Sequence, residues 1–186
     1  MTVLPDEYLI QLGRITAAGA ALEEHLHQTF AMLASERPPT PAGYRWANVV
    51  VDVLLADDSL SQQIDRLRLL AARTSRVNGQ PMVGAINRVV TDDMAASLNG
   101  LVKRCDKARE TRNVFVHAVW SVDPDGDVRR KTTRRLRREY QVTTVDQLER
   151  AANEVEAAVE AASNFHYDLL SGKIHTDWGT TPGLDD

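Results

Sequence analysis

The feature that most constrains the fold is an apolar seam through residues 98–119, whose members recur at steps of three and four residues. The members are Leu98, Leu101, Cys105, Ala108, Phe115 and Val119. This spacing places side chains on one face of an α-helix, and we predict a helix from about residue 91 to residue 118 or 120. Arg112 occupies the middle of the apolar arc. Because an unpaired buried charge is costly, this arginine requires a partner or a function.

Three further stretches show the same helical period. The first runs from about residue 6 to residue 35 and contains Ala17-Ala18-Gly19-Ala20-Ala21, whose small side chains allow another helix to approach closely. The second begins at Ser59-Leu60-Ser61-Gln62 and the last at Thr144-Val145-Asp146-Gln147, both with the spacing of a capping box. The last stretch ends near Gly172, a residue type that commonly ends helices. Together with the seam, these stretches predict four main helices.

Two other stretches complete the predicted architecture. Asp125-Gly126 lies between β-capable runs and predicts a short hairpin over about residues 119–134. Residues 44–56 contain three consecutive valines that favour a strand, although the wider spacing suits a short buried helix, which we expect. The predicted fold class is therefore all-α, an up-and-down helical bundle with a short β-hairpin inserted before the last helix. We expect one domain over residues 1–172 and a flexible tail over residues 173–186.

Composition limits the class of protein. Hydrophobic residues make up 43% and charged residues 26% of the chain, as in ordinary soluble domains. Cys105 is the only cysteine, which fits a reducing cytoplasm, and its seam position predicts an inert packing residue. The N-terminus resembles no signal peptide and no apolar run is long enough to span a bilayer, so we expect a cytoplasmic protein without membrane contact. No P-loop, dinucleotide-binding or zinc motif occurs, and we expect no cofactor and no metal.

Positive charge is concentrated in residues 129–138, where seven of ten residues are basic. Without these seven, 15 basic residues stand against 26 acidic residues, a balance of −11. Charge concentrated in this way is typical of a surface for a polyanion, although a solvated, self-repelling loop is the simpler interpretation. The predicted RNA-binding residues of this run are Arg129, Arg130, Lys131, Arg134, Arg135, Arg137 and Arg138.

The residues around Arg112 suit phosphate chemistry. Asn113 and His117 lie one helical turn apart, and Arg109 lies on the same face one turn earlier. We predict that Arg109 is a further RNA contact. Arg112 and His117 lie about 140° apart on a helical wheel, so the long arginine side chain or a second subunit must close the gap. A guanidinium binds phosphate, an imidazole exchanges protons near neutral pH, and an amide orients either group. Together they predict metal-free RNA cleavage by the 2′-hydroxyl, leaving a 2′,3′-cyclic phosphate.

The sequence Arg112-Asn113-Val114-Phe115-Val116-His117 resembles the signature of the HEPN superfamily, an arginine and a histidine four to six residues apart with a polar residue after the arginine. The resemblance extends over most of residues 6–172, as a helical bundle with the motif late in the penultimate long helix. It implies that Arg112, Asn113 and His117 are active-site residues of a metal-independent ribonuclease. It also implies a homodimer whose paired motifs form one cleft and, as in some members, a toxin neutralised by an antitoxin of nucleotidyltransferase type.

Simpler interpretations of the same residues stay open at this point. Arg112 would be structural if it paired with a buried acid of another helix, for which the candidates are Glu23, Glu24 and Asp65. His117 would be structural if it only complemented the helix dipole. The chain would then be a non-catalytic helical module that binds nucleic acid, a nucleotide or a protein. Among the remaining side chains, we expect Trp120 to pack in the core, His25 at the surface and His166 in a structural position.

Overall fold

A computed structural model of the chain describes residues 3–34, 53, 55, 58–72, 76–77, 80–81, 92–134 and 137–171. This part of the chain is mostly helical and contains a small antiparallel sheet, which confirms the predicted dominance of helix. The helices are α1 (Asp6–Ala34), α2 (Leu60–Ala72), α3 (Asp92–Val116) and α4 (Val145–Leu170). The strands are β1 (Arg76–Val77), β2 (Gln80–Pro81), β3 (Val119–Val122), β4 (Val128–Arg134) and β5 (Arg137–Val142).

The two predicted capping boxes are present and begin α2 and α4. The backbone N–H of Ser59 donates to Oε1 of Gln62 at 2.8 Å, and the N–H of Gln62 donates to the Ser59 hydroxyl at 3.4 Å. Thr144 and Gln147 exchange the equivalent bonds at 3.2 and 3.3 Å. Each box satisfies backbone donors that have no partner within the helix. The starts of these helices are therefore set by four consecutive residues each.

Helix α3 ends at Val116, earlier than the predicted end at residue 118 or 120. The indole N–H of Trp120 donates to the backbone carbonyl of Phe115 at 3.2 Å, and the two rings stack with centroids 6.4 Å apart. This contact occupies one of the carbonyls that a helix leaves free in its last turn. His117 consequently lies in the turn that leads from α3 to β3.

The predicted hairpin is the pair β3–β4, turned at Gly126 with φ of 88°. A third strand, β5, was not predicted and completes a sheet in the order β3-β4-β5. The β4–β5 register pairs Arg134 with Arg137, so the basic run of residues 129–138 folds back on itself between these two strands. The run is thus part of a sheet and not one arm of a simple hairpin.

The chain divides into two compact units. Unit 1 comprises Met1–Leu22 and Cys105–Glu160, and unit 2 comprises Glu23–Arg104 and Ala161–Asp186. Each has its own buried side chains: Ile15, Leu22, Val128, Leu148 and Val155 in unit 1, and Leu26, Ile64, Leu67, Leu98 and Phe165 in unit 2. The candidate motif, the basic run and the three-stranded sheet all belong to unit 1.

Several predictions fall on other parts of the chain. Of residues 44–56 only Val53 and Leu55 are described, and both are helical; the tail from residue 172 onward lies outside the described residues. The expectation of one domain stays a prediction. Within the described part of the chain, no helix combines the length and the apolarity that a bilayer crossing requires.

Candidate functional site

Arg112 lies where the buried seam of α3 opens to solvent. The preceding seam residues Leu98, Leu101, Cys105 and Ala108 are all buried, whereas Arg112 is half-buried. Its Nε atom is fully buried and finds no hydrogen-bond acceptor among the described residues. The predicted position of a charge on the apolar face is confirmed.

Gly19 of α1 makes room for the arginine. A methyl group placed on Gly19 would lie only 2.7 Å from both Cδ and Nε of Arg112, closer than real side chains approach. The stretch of small residues in α1 was predicted to admit another helix. At Gly19 it admits the side chain of Arg112, which lies directly against the α1 backbone.

The surroundings of Arg112 differ from those of a structural arginine in the same unit. Arg14 donates to both carboxylate oxygens of Glu156 at 2.9 and 2.7 Å, and also to Asn153 and Gln11 at 2.7 and 2.8 Å. For Arg112, no ion pair with a carboxylate is present among the described residues; the candidate acids Glu23, Glu24 and Asp65 belong to unit 2. The guanidinium of Arg112 thus differs from that of Arg14 in having no carboxylate neighbour among the described residues.

Asn113 and His117 are both exposed at the end of α3. His117 follows the last helical residue directly, and Asn113 lies in the last helical turn. The place of His117 at the C-terminal end of α3 also agrees with the simpler interpretation, in which this residue complements the helix dipole. Within the described residues no hydrogen bond joins Arg112, Asn113 and His117. The structure thus places a half-buried cation, an exposed imidazole and an exposed amide at one helix end, each without a side-chain hydrogen bond or ion pair to another described residue.

Arg109 differs from these three residues because it already has anionic neighbours. Its Nη2 atom lies 3.3 Å from a carboxylate oxygen of Asp106 and 3.7 Å from one of Glu110. Both acids are on α3 itself, and Asp106 has the three-residue spacing at which side chains of one helix interact. The positive charge that Arg109 offers to a polyanion is partly neutralised.

The basic run divides between the two faces of the sheet. Arg130 pairs across the strands with Trp120 and Gln141 on one face, where its guanidinium lies 4.7 Å from the Phe115 ring centroid. Arg129 and Lys131 are on the other face.

Nε of Arg129 lies 2.5 Å from an oxygen of Asp123, an ion pair that lacks hydrogen-bond geometry. The ammonium of Lys131 lies 5.7 Å from the Tyr140 ring centroid. Arg135 and the side chains of Arg134, Arg137 and Arg138 lie outside the described residues. Of the described cations in the run, only Arg130 faces the last turn of α3.

Burial shifts the pKa values of Cys105, Arg130 and His166. It raises the pKa of the Cys105 thiol to about 12, with a smaller contribution from Asp106, so the thiol is inert at neutral pH as predicted. It lowers the pKa of Arg130. Burial also lowers the pKa of His166, and the nearby His25 lowers it further. His25 is half-buried with a buried Nδ1, which corrects the expectation of a surface residue; His166 is half-buried too.

A groove of about 660 Å³ in unit 1 was missed by the sequence analysis. It lies between the end of α3, strands β4 and β5, and the first three turns of α4. Its polar lining residues are Thr111, Arg130, Gln141, Gln147, Arg150 and Glu154. These residues are spread over 44 positions of the chain and share no spacing, so no sequence signal joins them.

Comparison of the chain with protein-family models, with curated proteins and with solved structures finds no match in any of the three. Among the described residues, no group of three or more His, Cys, Asp or Glu side chains is arranged to hold a metal ion. The functional assignment therefore depends on the chemistry of the residues at the end of α3.

Proposed function

We propose that the protein is an endoribonuclease of HEPN type that cleaves RNA without a metal ion. The observation that carries this proposal is the half-buried Arg112 guanidinium, which has no carboxylate partner in the described part of the chain and lies five residues from an exposed histidine. A cation held in this way is costly for folding alone. Its cost is offset when a phosphate supplies the missing acceptor.

The proposed reaction is an intramolecular transesterification. The 2′-hydroxyl of RNA loses its proton to a base and attacks the adjacent phosphorus, forming a P–O2′ bond as the P–O5′ bond breaks. The leaving 5′-oxygen takes up a proton, so the products are a 2′,3′-cyclic phosphate and a 5′-hydroxyl. His117 transfers these protons, Arg112 stabilises the negative charge on the phosphorane-like state, and Asn113 positions the phosphate.

The same proposal includes the finer architecture and the partners. The four helices form one up-and-down bundle, and two copies meet at the motif, so that each cleft receives groups from both chains. RNA is the substrate, with Arg109 and residues 129–138 as contacts, and the cytoplasm is the site of action. By its resemblance to the HEPN superfamily, the chain is a toxin whose antitoxin is a nucleotidyltransferase-type protein.

A second candidate function is a non-catalytic module that binds nucleic acid, a nucleotide or a protein. One observation favours it: Arg109 and Arg129 already have carboxylate neighbours, which reduces the charge that they offer to RNA. This candidate keeps the phosphate-binding role of Arg112 and removes proton transfer by His117. Cleavage assays separate the two functions directly.

The test is incubation of RNA in EDTA with the wild type, Arg112→Ala and His117→Ala, with Arg104→Ala as control. Arg104 is an exposed arginine of the same helix, so its replacement removes an equal charge. We expect cyclic phosphate ends by mass spectrometry, with cleavage falling about 10²-fold or more in both motif variants. The control should keep full activity, and circular dichroism checks the fold. Equal cleavage by all four proteins, or cleavage by none, refutes the catalytic proposal.

A further inference from the structure

The groove between α3, the sheet and α4 presents hydrogen-bond donors and few acceptors. Oε1 of Gln141 accepts from Nη2 of Arg130, and Oε1 of Gln147 accepts from the backbone N–H of Thr144 at 3.2 Å. Because a guanidinium and a backbone N–H can only donate, the oxygen of each amide is fixed as the acceptor. The remaining NH₂ group of each glutamine is therefore the free end.

The charged residues of the groove have the same asymmetry. Nε and Nη1 of Arg130 are buried without an acceptor in the described part of the chain, and exposed Arg150 has no ion pair there. Glu154, the one acid among the described lining residues, already has partners: one oxygen accepts from the Thr111 hydroxyl at 2.8 Å, and the other lies 3.0 Å from the ammonium of Lys107. Within the described part of the chain, donors of the groove lack acceptors and its carboxylate already has donors, which is the chemistry of an anion site.

We propose that this groove binds a backbone phosphate of single-stranded RNA, beside the phosphate that is cleaved. Arg150 and the two glutamine NH₂ groups are the first contacts, and Arg130 gains the acceptor that it lacks when the phosphate enters. Tetrahedral phosphate oxygens accept from several planar donors at once, which suits two guanidiniums and two amides. The choice of RNA as the source of the phosphate rests on the proposed function.

The position of the groove on α3 supports this choice. Thr111 and Phe115 line the groove, whereas Asn113 lies on the opposite side of the helix, about 200° away at 100° per residue. On the same wheel Arg112 lies about 60° from Phe115, between the groove and Asn113, so the motif and the groove are neighbouring sides of the same helix end. A strand that crosses this end presents one phosphate to each side.

The test measures binding of a ten-nucleotide 2′-O-methyl RNA, which the 2′-hydroxyl mechanism cannot cleave, by isothermal titration at several salt concentrations. We compare the wild type with Arg150→Gln and with Arg104→Gln, an exposed arginine outside the groove lining. Arg150→Gln should weaken binding about tenfold and lower the salt slope by about 0.7, the value for one single-strand phosphate contact. Arg104→Gln should leave both quantities unchanged.

Small probes identify the source of the phosphate. Inorganic phosphate and adenosine monophosphate should bind far more weakly than the RNA. If either binds as tightly and loses affinity in Arg150→Gln, the ligand is a free nucleotide or phosphate, and the RNA assignment is overturned. If Arg150→Gln changes no affinity, the anion site itself is overturned.

Failure of this proposal and failure of the proposed function give different results. In cleavage assays Arg150→Gln should raise KM and leave kcat near the wild-type value, because Arg150 contacts only the flanking phosphate. Groove-dependent RNA binding by a protein that cleaves no RNA would refute the nuclease and support the anion site. Cleavage with an unchanged KM in Arg150→Gln would support the nuclease and refute the groove.

Discussion

Arg112 and Arg14 differ in the hydrogen bonding of their guanidinium groups. Both arginines come from long helices of unit 1, yet Arg14 uses its donors on Glu156, Asn153 and Gln11, whereas Nε of Arg112 has no acceptor within the described residues. The difference is one of neighbours: Arg112 faces the backbone at Gly19. A buried polar group without an acceptor lowers the stability of the folded protein. A residue that carries such a group and is held by a tight contact is a good candidate for function.

Substitution of two glycines of α1 tests the contact between Gly19 and Arg112. Gly13 has nothing near its missing Cβ, so Gly13→Ala should raise the free energy of unfolding by about 0.5–1 kcal/mol through helix propensity. Gly19→Ala brings a methyl group onto Arg112, and overpacking of this kind costs about 1–3 kcal/mol. We expect urea denaturation to show a gain for Gly13→Ala only, and RNA cleavage to fall about tenfold for Gly19→Ala only. Equal effects at both positions would remove Gly19 as a positioning residue.

His166 predicts a dependence of stability on pH. Burial and His25 hold its pKa in the folded protein below the ordinary 6.5, so the unfolded chain binds the proton first as pH falls. The free energy of unfolding should therefore decrease from pH 7.5 to pH 5.5, a range in which carboxylates with ordinary pKa values of about 4 stay ionised. Urea denaturation should show a smaller decrease for His166→Gln. An equal decrease in both proteins would show that other groups cause the effect.

Among the secondary-structure elements, strand β5 forms because of its pairing with strand β4 and not because of its own sequence. Residues 137–142 contain two arginines and a glutamate and lack a continuous apolar face, so they carry little strand signal. They form a strand because they pair antiparallel along the edge of β4, from Arg134 opposite Arg137 to Arg129 opposite Val142. The end of α3 has a similar origin, since the Trp120 indole from β3 completes it.

Helix α2 offers a matched pair of leucines two residues apart. Leu67 is 0% exposed and Leu69 is 64% exposed. Leu67→Ala should lower the free energy of unfolding by about 2–5 kcal/mol through lost burial and the cavity left behind. Leu69→Ala should change it by less than about 0.5 kcal/mol. Chemical denaturation measures both, and similar losses for the two variants would show that α2 buries a different face.

At the scale of the whole molecule, the proposed cleft requires two chains. Sedimentation equilibrium should give twice the 20.7 kDa of one chain at concentrations where RNA is cleaved, and cleavage per chain should fall on dilution. Mixing Arg112→Ala with His117→Ala should restore part of the activity if each cleft takes groups from both copies. Full activity at the mass of one chain would rule out a composite cleft.

Features that depend on neighbours along the chain could be predicted from the residues alone. The capping boxes of α2 and α4, the β3–β4 turn at Gly126 and the seam position of Arg112 were all predicted, because each depends on residues within one or two helical turns or a single tight turn. The predominance of helix follows from the same local patterns.

The contacts of the candidate residues depend on the tertiary structure. Gly19 and Arg112 are 93 positions apart, and the groove joins residues of α3, two strands and α4 that share no spacing. The neighbour of an arginine, a carboxylate or a glycine, depends on which elements pack against it. The periodicity of the sequence indicates only which face of each element is apolar. The chain's pattern thus placed a charge on an apolar seam, and the packing of α1 against α3 left that charge without a carboxylate among the described residues.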